Sequence, residues 1–487
     1  MTVGLPDIAS ALAERGLLVR EEGELPAAAT GIADDSRRVQ PGNLFVAVRG
    51  WDSDGHDFLD AARERGAIAA IVEDSTRTTL PSLVVREGRR AAAVAAATSY
   101  ANPARNLTML GVTGTNGKTT STSIMRHLFD DGAGSSASIG TLGVLIGSAG
   151  EVLPGGSGLT TPGPVELQRI LRALADRAVR TVAMEVSSHS LEQRRVDGLE
   201  FDVAVFTNLT RDHLDYHGTM EAYLQAKARL MEYLKKDGTA VTNADAPEWA
   251  SLKPWPNRLS FAVRAPADIR ARNVRYMPGG SEWTLETPRG SAPVKLPLIG
   301  DVNVENGLAA AAAAFARGEL PAAIAEKLSS VPQVAGRLEI ISTQPTVLRD
   351  YAHTPDALER TLRTARAFTR GKLIVVFGCG GDRDKGKRPI MGEIAARGAD
   401  CAIVTSDNPR TEDPDAIIDD IEVGMRGKKH ERVTDRTAAI RRALDIAKDG
   451  DIVLLAGKGH ETYQIRGTTS YPFDEKEIVK EMTGNRA

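Results

Sequence analysis

The residues best equipped for chemistry lie in the run Gly111-Val-Thr-Gly-Thr-Asn-Gly-Lys-Thr-Thr120. An apolar stretch, Leu107 to Val112, leads into it, and a helical pattern, Ser123 to Phe129, follows it. Glycines at such a strand-to-helix turn let the backbone curl until its N–H groups face phosphate oxygens, and the helix N-terminus adds a favourable dipole. Gly114, Thr115, Asn116, Gly117, Lys118, Thr119 and Thr120 are therefore the expected nucleotide cradle. Lys118 is expected at the β- and γ-phosphates and Thr119 at Mg2+. The general phosphate-loop pattern would place glycine at 112, where this chain has Val112. The variant Thr113-Gly-Thr-Asn-Gly-Lys-Thr119 points away from generic motors and kinases.

A loop of this kind needs a parallel sheet to present it, and the chain is long enough for several. At about 150 residues per domain, 487 residues suggest three domains. Residues 1–104 alternate buried-strand candidates (Leu44 to Val48, Ala67 to Val72) with an Ala-rich helix from Arg89 to Tyr100, and Asn102-Pro103 marks a boundary. Residues 105–335 add strand candidates at Thr181 to Val186, Val203 to Phe206 and Ala240 to Thr242, a β-rich stretch over 257–297, and helices at Asn306 to Arg317 and Pro321 to Leu328. Residues 336–487 repeat the alternation, with strands at Lys372 to Phe377, Cys401 to Thr405 and Ile452 to Ala456. Helical stretches at Pro355 to Ala367 and Thr437 to Ala447 lie between them. Strands alternating with helices predict α/β domains with mostly parallel, doubly wound sheets.

Composition narrows the class of partner. Lys and Arg total 61 and Asp and Glu 64, a net charge of −3. That balance disfavours nucleic acid, which a basic domain would bind. It leaves room for local sites for small anions. Two cysteines, Cys379 and Cys401, exclude a disulfide scaffold and a cysteine metal cluster, and fit a reducing compartment. The first residues lack the basic start and apolar core of a signal peptide. The longest apolar run, Leu308 to Ala316, falls far short of the roughly 20 residues that span a bilayer. The expectation is a cytoplasmic monomer with no membrane partner.

Several shorter segments are unremarkable taken singly. Asp35-Ser36-Arg37 reads as a surface turn, Thr160-Thr161-Pro162 as a loop, and Lys227 as part of a solvated helix face. The asparagines of Gly300-Asp-Val-Asn-Val-Glu-Asn306 read as helix caps, and Asp407-Asn-Pro-Arg410 as a turn after a strand. Their order along the chain, around the Thr-Gly-Thr-Asn-Gly-Lys-Thr loop, carries more. In that order the chain resembles the Mur ligases, ATP-dependent amide-forming enzymes of peptidoglycan precursor synthesis, which share this loop with folylpolyglutamate synthetases. The resemblance spans nearly the whole chain. It implies three domains: an N-terminal UDP-binding domain, a central P-loop parallel-sheet ATPase domain, and a C-terminal Rossmann-like domain that binds the amino acid.

Within the family, the chain is most similar to the members that add the third residue to UDP-MurNAc-L-Ala-D-Glu. The resemblance implies that Ser36 contacts the uridine diphosphate, and that Thr160, Thr161, Ser187, Gln193 and Arg195 contact the muramoyl dipeptide. Leu159 departs from the polar Asn of many relatives. Mg2+ is implied at Thr119 and Glu185, with His213 at a second ion; His217 is left without a role. Lys227 is implied to be N6-carboxylated. A bare ammonium repels Mg2+, whereas a carbamate turns lysine into a long carboxylate. Asn303 is implied at adenine, Arg337 of Gly336-Arg-Leu-Glu339 at the phosphates and Asp350 at the ribose, with Asp435-Arg436 also near the nucleotide. Lys118, Glu185, His213 and Lys227 form the implied catalytic set.

The third domain is expected to choose the amino acid. Asp407, Asn408, Pro409 and Arg410 resemble the motif of relatives that add meso-diaminopimelate, and relatives that add L-lysine usually lack the arginine. Diaminopimelate carries a second carboxylate at its far end, which a guanidinium can hold bidentately. Arg383, Gly457 and Glu461 match further amino-acid contacts, with Glu461 reading the distal ammonium. The implied substrates are ATP, UDP-MurNAc-L-Ala-D-Glu and meso-diaminopimelate. Rival readings are the L-lysine-adding ligase, a folylpolyglutamate-synthetase-like ligase and a regulatory NTPase.

Overall fold

The computed structural model describes residues 2–50, 53–155, 158–277 and 279–484. The chain divides into two compact units, Met1–Ile269 with Ala309–Glu319, and Arg270–Leu308 with Leu320–Ala487.

Besides the short antiparallel pair Val3–Gly4 with Ala28–Ala29, the described residues of the first unit form two larger sheets. In the N-terminal one, Gly31–Ala33, Asn43–Val46, Ala69–Val72 and Ser82–Val85 run parallel, and Leu18–Glu22 closes one edge antiparallel. Three of these strands are buried along their whole length, as both faces of a parallel sheet demand. The helices Leu5–Glu14 and Gly88–Ser99 cover one face, packing Leu5, Ile8, Leu12, Ala91, Ala92 and Ala95 onto Leu44, Ile71 and Leu83. Arg90 of the second helix reaches Asp197 at 3.1 Å, tying this layer to the sheet that follows.

In the larger sheet, six parallel strands stand in the order Ser136–Gly140, Thr181–Glu185, Thr108–Thr113, Phe201–Phe206, Leu234–Asn243, Arg258–Ala262. Gly143–Ile146 and Glu151–Leu153 extend it antiparallel. Glu185 pairs opposite Val112, and Phe206 opposite Thr113. The C-terminal ends of three neighbouring strands thus arrive side by side at one edge. The helix after Thr113 begins at Lys118, not at Ser123 as the apolar pattern predicts. Its first turn is Lys, Thr, Thr and Ser, which carries no hydrophobic period, yet Thr119 to Ser123 are all buried.

The second unit opens with an antiparallel meander, Gly280–Thr287 between Ile269–Met277 and Gly290–Leu296. The helix Asp301–Ala316 is shared between the units and starts a full turn before the predicted Asn306. Leu308 through Ala314 are at most 1% exposed, so this stretch of the helix is apolar all round because it is buried all round. The C-terminal sheet orders Glu339–Thr343, Thr346–Asp350, Ile452–Ala456, Leu373–Phe377, Cys401–Val404 and Glu431–Arg432, with every pair after the first parallel. Inserting the last strand, Ile452–Ala456, between two earlier ones is the doubly wound signature. It brings the segments after Asp350, Ala456, Phe377 and Val404 to one edge.

Two buried arginines brace that edge. Arg436 donates to Glu475 at 2.8 Å, both side chains fully buried, and to the carbonyl of Ala456 at 2.9 Å. Arg388 bridges Glu412 at 2.8 Å and Asp420 at 2.9 Å. Among the described residues no helix is long and apolar enough to cross a membrane.

Removing one partner of a buried ion pair leaves the other charge uncompensated. Arg436→Met is therefore expected to destabilise the second unit by about 3–5 kcal/mol, and adding Glu475→Met to recover most of it. Denaturant unfolding of the two variants checks this.

Candidate active site

The glycine-threonine loop rests on the segment after its neighbouring strand. The Asn208 carbonyl accepts from Thr115 N at 2.8 Å, the Asn208 side chain accepts from Asn116 N at 2.9 Å, and Thr207 Oγ1 donates to the Asn116 carbonyl at 2.7 Å. Gly114 has φ +146°, and a Cβ there would stand 1.9 Å from Thr207 Oγ1 and 3.0 Å from the Asn208 carbonyl. Gly117, at φ +85°, turns the chain into the helix Lys118–Phe129. Lys118 lies at the first helical position, and its Nζ folds over the loop to the carbonyls of Gly114 at 2.9 Å and Thr115 at 2.8 Å. Thr119 and Thr120 are buried beneath it.

Lys227 does not lie on the solvated face that its spacing suggests. The helix Met220–Ala228 buries Tyr223, Leu224, Ala226 and Lys227, and Lys227 is 1% exposed. Its Nζ donates to the Gly114 carbonyl at 2.8 Å, the same oxygen that Lys118 reaches, and lies 4.3 Å from the Tyr223 ring centre. Burial first, and the Lys118 charge second, hold its ammonium well below the usual lysine range. Burial that disfavours the charged form favours the free amine, the form that can act as a nucleophile.

Beside the loop stands a cluster of rings. His213, with φ +52°, precedes the short helix Leu214–His217 and lies 3.4 Å from Asp212. Its ring stands edge-on to His189 at 4.8 Å, and His189 also meets Tyr216 at 4.2 Å and His217 at 5.4 Å. Burial, then the neighbouring imidazoles, push His189 down to about 4, so it is a neutral packing partner at pH 7. The sequence offered no sign that His189 joins this cluster, since the contact depends on two separate loops. His217 bonds Ser188 Oγ at 2.9 Å through Nε2.

Glu185, at the end of its strand, is 1% exposed. Its carboxylate accepts from Thr141 N at 2.9 Å and Thr141 Oγ1 at 3.2 Å, and a Cβ on Gly140 would overlap it. Thr141 was not foreseen as part of this group; the neighbouring glycine was its only trace in the sequence. Thr141 Oγ1 lies 3.2 Å from Thr160 Oγ1. Thr161 Oγ1 donates to the Glu185 carbonyl at 2.9 Å and accepts from Ser187 N at 3.1 Å. Arg195 donates to the Thr161 carbonyl at 2.9 Å and to Gln193 Oε1 at 2.6 Å, and Gln193 reaches the Tyr216 hydroxyl at 3.3 Å. Thr160, Thr161, Ser187, Gln193 and Arg195 therefore form one contact chain with Glu185 and the ring cluster. Ser36 opens a short turn in which Asp35 accepts from Arg37 N at 3.0 Å. That turn borders the same segment, because a Cβ on Gly163 would lie 3.7 Å from the Asp34 carboxylate. Leu159 points to solvent.

In the second unit, Asn303 and Asn306 are not helix caps. Both lie inside the helix, where Asn303 donates to the Ile299 carbonyl at 2.9 Å and accepts from Asn306 at 3.2 Å. Arg337 stacks over Tyr351 at 4.8 Å. The Asp350 carboxylate accepts from Leu338 N at 2.8 Å and Thr361 Oγ1 at 3.2 Å. His353 bonds the Tyr351 carbonyl at 2.8 Å. Arg436 is a brace within the core, and Asp435 caps its helix by accepting from Ala438 N at 2.8 Å.

The remaining residues gather at the C-terminal edge of the second sheet. Arg410, with φ +52°, donates to the Gly381 carbonyl at 2.8 Å, and its backbone bridges to the hairpin Tyr463–Pro472 through Ile465 and Gly467. Arg383 reaches the Asp382 carbonyl at 3.2 Å and is exposed. Asp407 is buried, and a Cβ on Gly457 would come within 2.6 Å of its carboxylate. The Pro409 carbonyl lies so close to Gly381 that a Cβ there would stand 1.9 Å away. Asn408 Nδ2 donates to Glu461 Oε2 at 2.9 Å.

A Gly-Thr-Asn-Gly-Lys loop between a central parallel strand and a helix defines the phosphate-loop class of α/β fold. Residues 29–108 match the Mur ligase family catalytic domain, 112–314 the Mur ligase middle domain, and 336–459 the Mur ligase glutamate ligase domain. The chain belongs to the Mur ligase family. It is 44% identical over 464 residues to a protein of Geobacillus kaustophilus, covering 93% of this chain and 94% of that one. It is 46% identical over 486 residues to one of Geobacter metallireducens, covering 94% of each. Both are named UDP-N-acetylmuramoyl-L-alanyl-D-glutamate–2,6-diaminopimelate ligase. A solved structure of a ligase with that name superposes with a TM-score of 0.69 at 34% identity, covering 99% of both chains. A Mur ligase of Thermotoga maritima in complex with ADP shares the fold, with a TM-score of 0.64 at 22% identity over 93% of this chain and 96% of that one.

Gly114→Ala forces a side chain into Thr207 and backbone at a φ that side chains avoid. It is expected to lower ATP-dependent turnover by about 100-fold with the fold intact. Phosphate release and circular dichroism on the same preparation check this.

Proposed function

We propose that this protein is an ATP-dependent ligase that joins meso-diaminopimelate to UDP-N-acetylmuramoyl-L-alanyl-D-glutamate in peptidoglycan precursor synthesis, acting as a cytoplasmic monomer. The observation that carries this reading is the sheet edge that places Arg410 with the Asn408–Glu461 pair. A guanidinium and a carboxylate together suit a zwitterionic distal carbon, which meso-diaminopimelate has and L-lysine lacks. The names of the relatives at 44–46% identity agree with it.

The donor set suits the groups this chemistry needs. Gly114 and Gly117 open the loop as a phosphate cradle, and Lys118 supplies a charge at its mouth. Mg2+, when bound, would neutralise phosphate charge, with Thr119 and Glu185 holding one ion, His213 a second, and the carboxylated Lys227 serving as a further anionic ligand. Carboxylation fits the burial of Lys227, which disfavours the ammonium, since only the free amine adds CO2. Asn303, Arg337 and Asp350 are assigned to the nucleotide, Ser36 to the uridine diphosphate, and Thr160, Thr161, Ser187, Gln193 and Arg195 to the muramoyl dipeptide.

A free carboxylate is a poor acyl donor, so ATP first converts a D-Glu carboxylate into an acyl phosphate. The amine of diaminopimelate attacks the acyl carbon, a tetrahedral intermediate forms, phosphate leaves and an amide remains. Lys118 stabilises charge on the transferring phosphoryl group, and Arg195, held by Gln193, orients the dipeptide. No serine or cysteine nucleophile takes part. Arg383, Asp407, Asn408, Pro409, Arg410, Gly457 and Glu461 form the amino-acid pocket, with Arg410 on the distal carboxylate and Glu461 on the distal ammonium.

Phosphate release with UDP-MurNAc-L-Ala-D-Glu tests the assignment. Turnover is expected with meso-diaminopimelate and not with L-lysine, and the reverse overturns it. Arg410→Ala is expected to raise KM for diaminopimelate by about 10-fold or more, the loss of a charge-assisted pair, with little change in KM for ATP. Mass spectrometry of the active enzyme under non-denaturing conditions is expected to show one added CO2 on Lys227, and a fully free amine in active enzyme overturns that role.

A further inference from the structure

Lys458 has no role in the function proposed above, yet its side chain is fully buried at the same sheet edge. Its Nζ donates to Asn408 Oδ1 at 3.0 Å and to Glu461 Oε2 at 3.1 Å. Asn408 Nδ2 donates to that same Oε2 at 2.9 Å, closing a three-membered ring of contacts. Asn408 Oδ1 also accepts from Ile465 N at 3.0 Å, which anchors the ring to the hairpin. The rings of Tyr463 and Phe473 flank the ammonium at 5.7 and 5.8 Å. One oxygen of Glu461 is thus filled by two internal donors, and Oε1 has no hydrogen bond among the described residues.

A buried ion pair is a weak source of stability, because desolvation offsets the attraction. Its effect here is geometric. Without the ammonium, Glu461 is tethered only through Asn408 and is free to turn its charge toward water. With it, the rotamer is set before any ligand arrives, and the ordering cost is met in advance.

We propose that Lys458 is a positioning and selectivity-determining residue for the incoming amino acid. It presents Glu461 Oε1 as the acceptor for a distal ammonium. Together with Arg410 it also sets the local charge against a substrate that brings that ammonium without a carboxylate. The inference rests on the reading of this edge as the diaminopimelate pocket. Lys458 acts through Glu461 and Asn408 and does not itself touch the substrate.

The test uses the full-length enzyme with Lys458→Met, Lys458→Gln and Glu461→Gln, read as kcat and KM for meso-diaminopimelate, L-lysine and ATP. Lys458→Met is expected to raise KM for diaminopimelate about 10-fold or more, change kcat less, and lower the preference for diaminopimelate over L-lysine by about as much. KM for ATP is expected to stay within about twofold, a split that general loss of structure does not produce. In the Glu461→Gln background, Lys458→Met is expected to add little. If Lys458→Met does not fold by circular dichroism, Lys458→Gln, which keeps two N–H donors without the charge, is read in its place for the loss of preference. Unchanged preference in the folded variant, or equal losses for every substrate, overturns the proposal. The Glu461→Gln control separates the two readings. If it leaves KM for diaminopimelate unchanged, the pocket assignment fails and the inference with it; if it raises KM while Lys458→Met does not, only the role of Lys458 fails.

Discussion

A parallel hydrogen-bond ladder makes every strand end at the same edge, and this constraint organises the chemistry of the whole chain. Loops that leave parallel strands at their C-terminal ends emerge side by side, however far apart they lie in sequence. In the central sheet this brings the phosphate loop after Thr113 next to Glu185 and to the Thr207–Asn208 segment that supports it. In the C-terminal sheet it brings Gly378–Arg383, Asp407–Arg410 and Gly457–Glu461 together. The N-terminal sheet follows the same rule, with Ser36 just past its strand Gly31–Ala33.

The second organising feature is the use of buried cations as braces. Arg436 holds the Ala456 carbonyl, Arg388 holds Glu412, and Lys458 holds Glu461 and Asn408. Each takes a charged group out of water, and each fixes the backbone or side chain of a loop that meets a ligand in the proposed reaction. Glycines do the complementary work. Gly114, Gly381 and Gly457 stand where another atom occupies the place of a Cβ, so the loops pack as closely as their carbonyls and carboxylates allow. A rigid edge suits a reaction whose catalysis is mainly placement and electrostatics.

Much of this was legible in the sequence. The strand candidates Thr181 to Val186, Val203 to Phe206 and Ile452 to Ala456 fall on observed strands within a residue or two, because continuous apolar runs in α/β chains are buried strands. The helix boundaries at Lys118 and Asp301 were hidden, since Thr, Ser and Asn in a first turn carry no apolar period and resemble caps. The grouping of Thr160, Thr161, Ser187, Gln193 and Arg195 agrees with their shared motif origin, but Thr141 and His189 joined the same contact chain without a signal of their own.

The sequence by itself determined the chemical inventory: a phosphate loop with one lysine, a set of motifs whose order resembles one family, and the alternation that yields parallel sheets. Those follow from local residue type and spacing. The tertiary structure alone decided the state of the charges. Lys227 reads as a solvated helix residue and becomes a buried amine sharing a carbonyl with Lys118; Arg436, implied near the nucleotide, becomes a buried brace, and so does Lys458. Burial and pairing depend on neighbours more than 30 residues away for Arg436 and Glu475, and more than 100 for Lys227 and Gly114. No local pattern encodes a desolvation that only a distant strand or loop imposes.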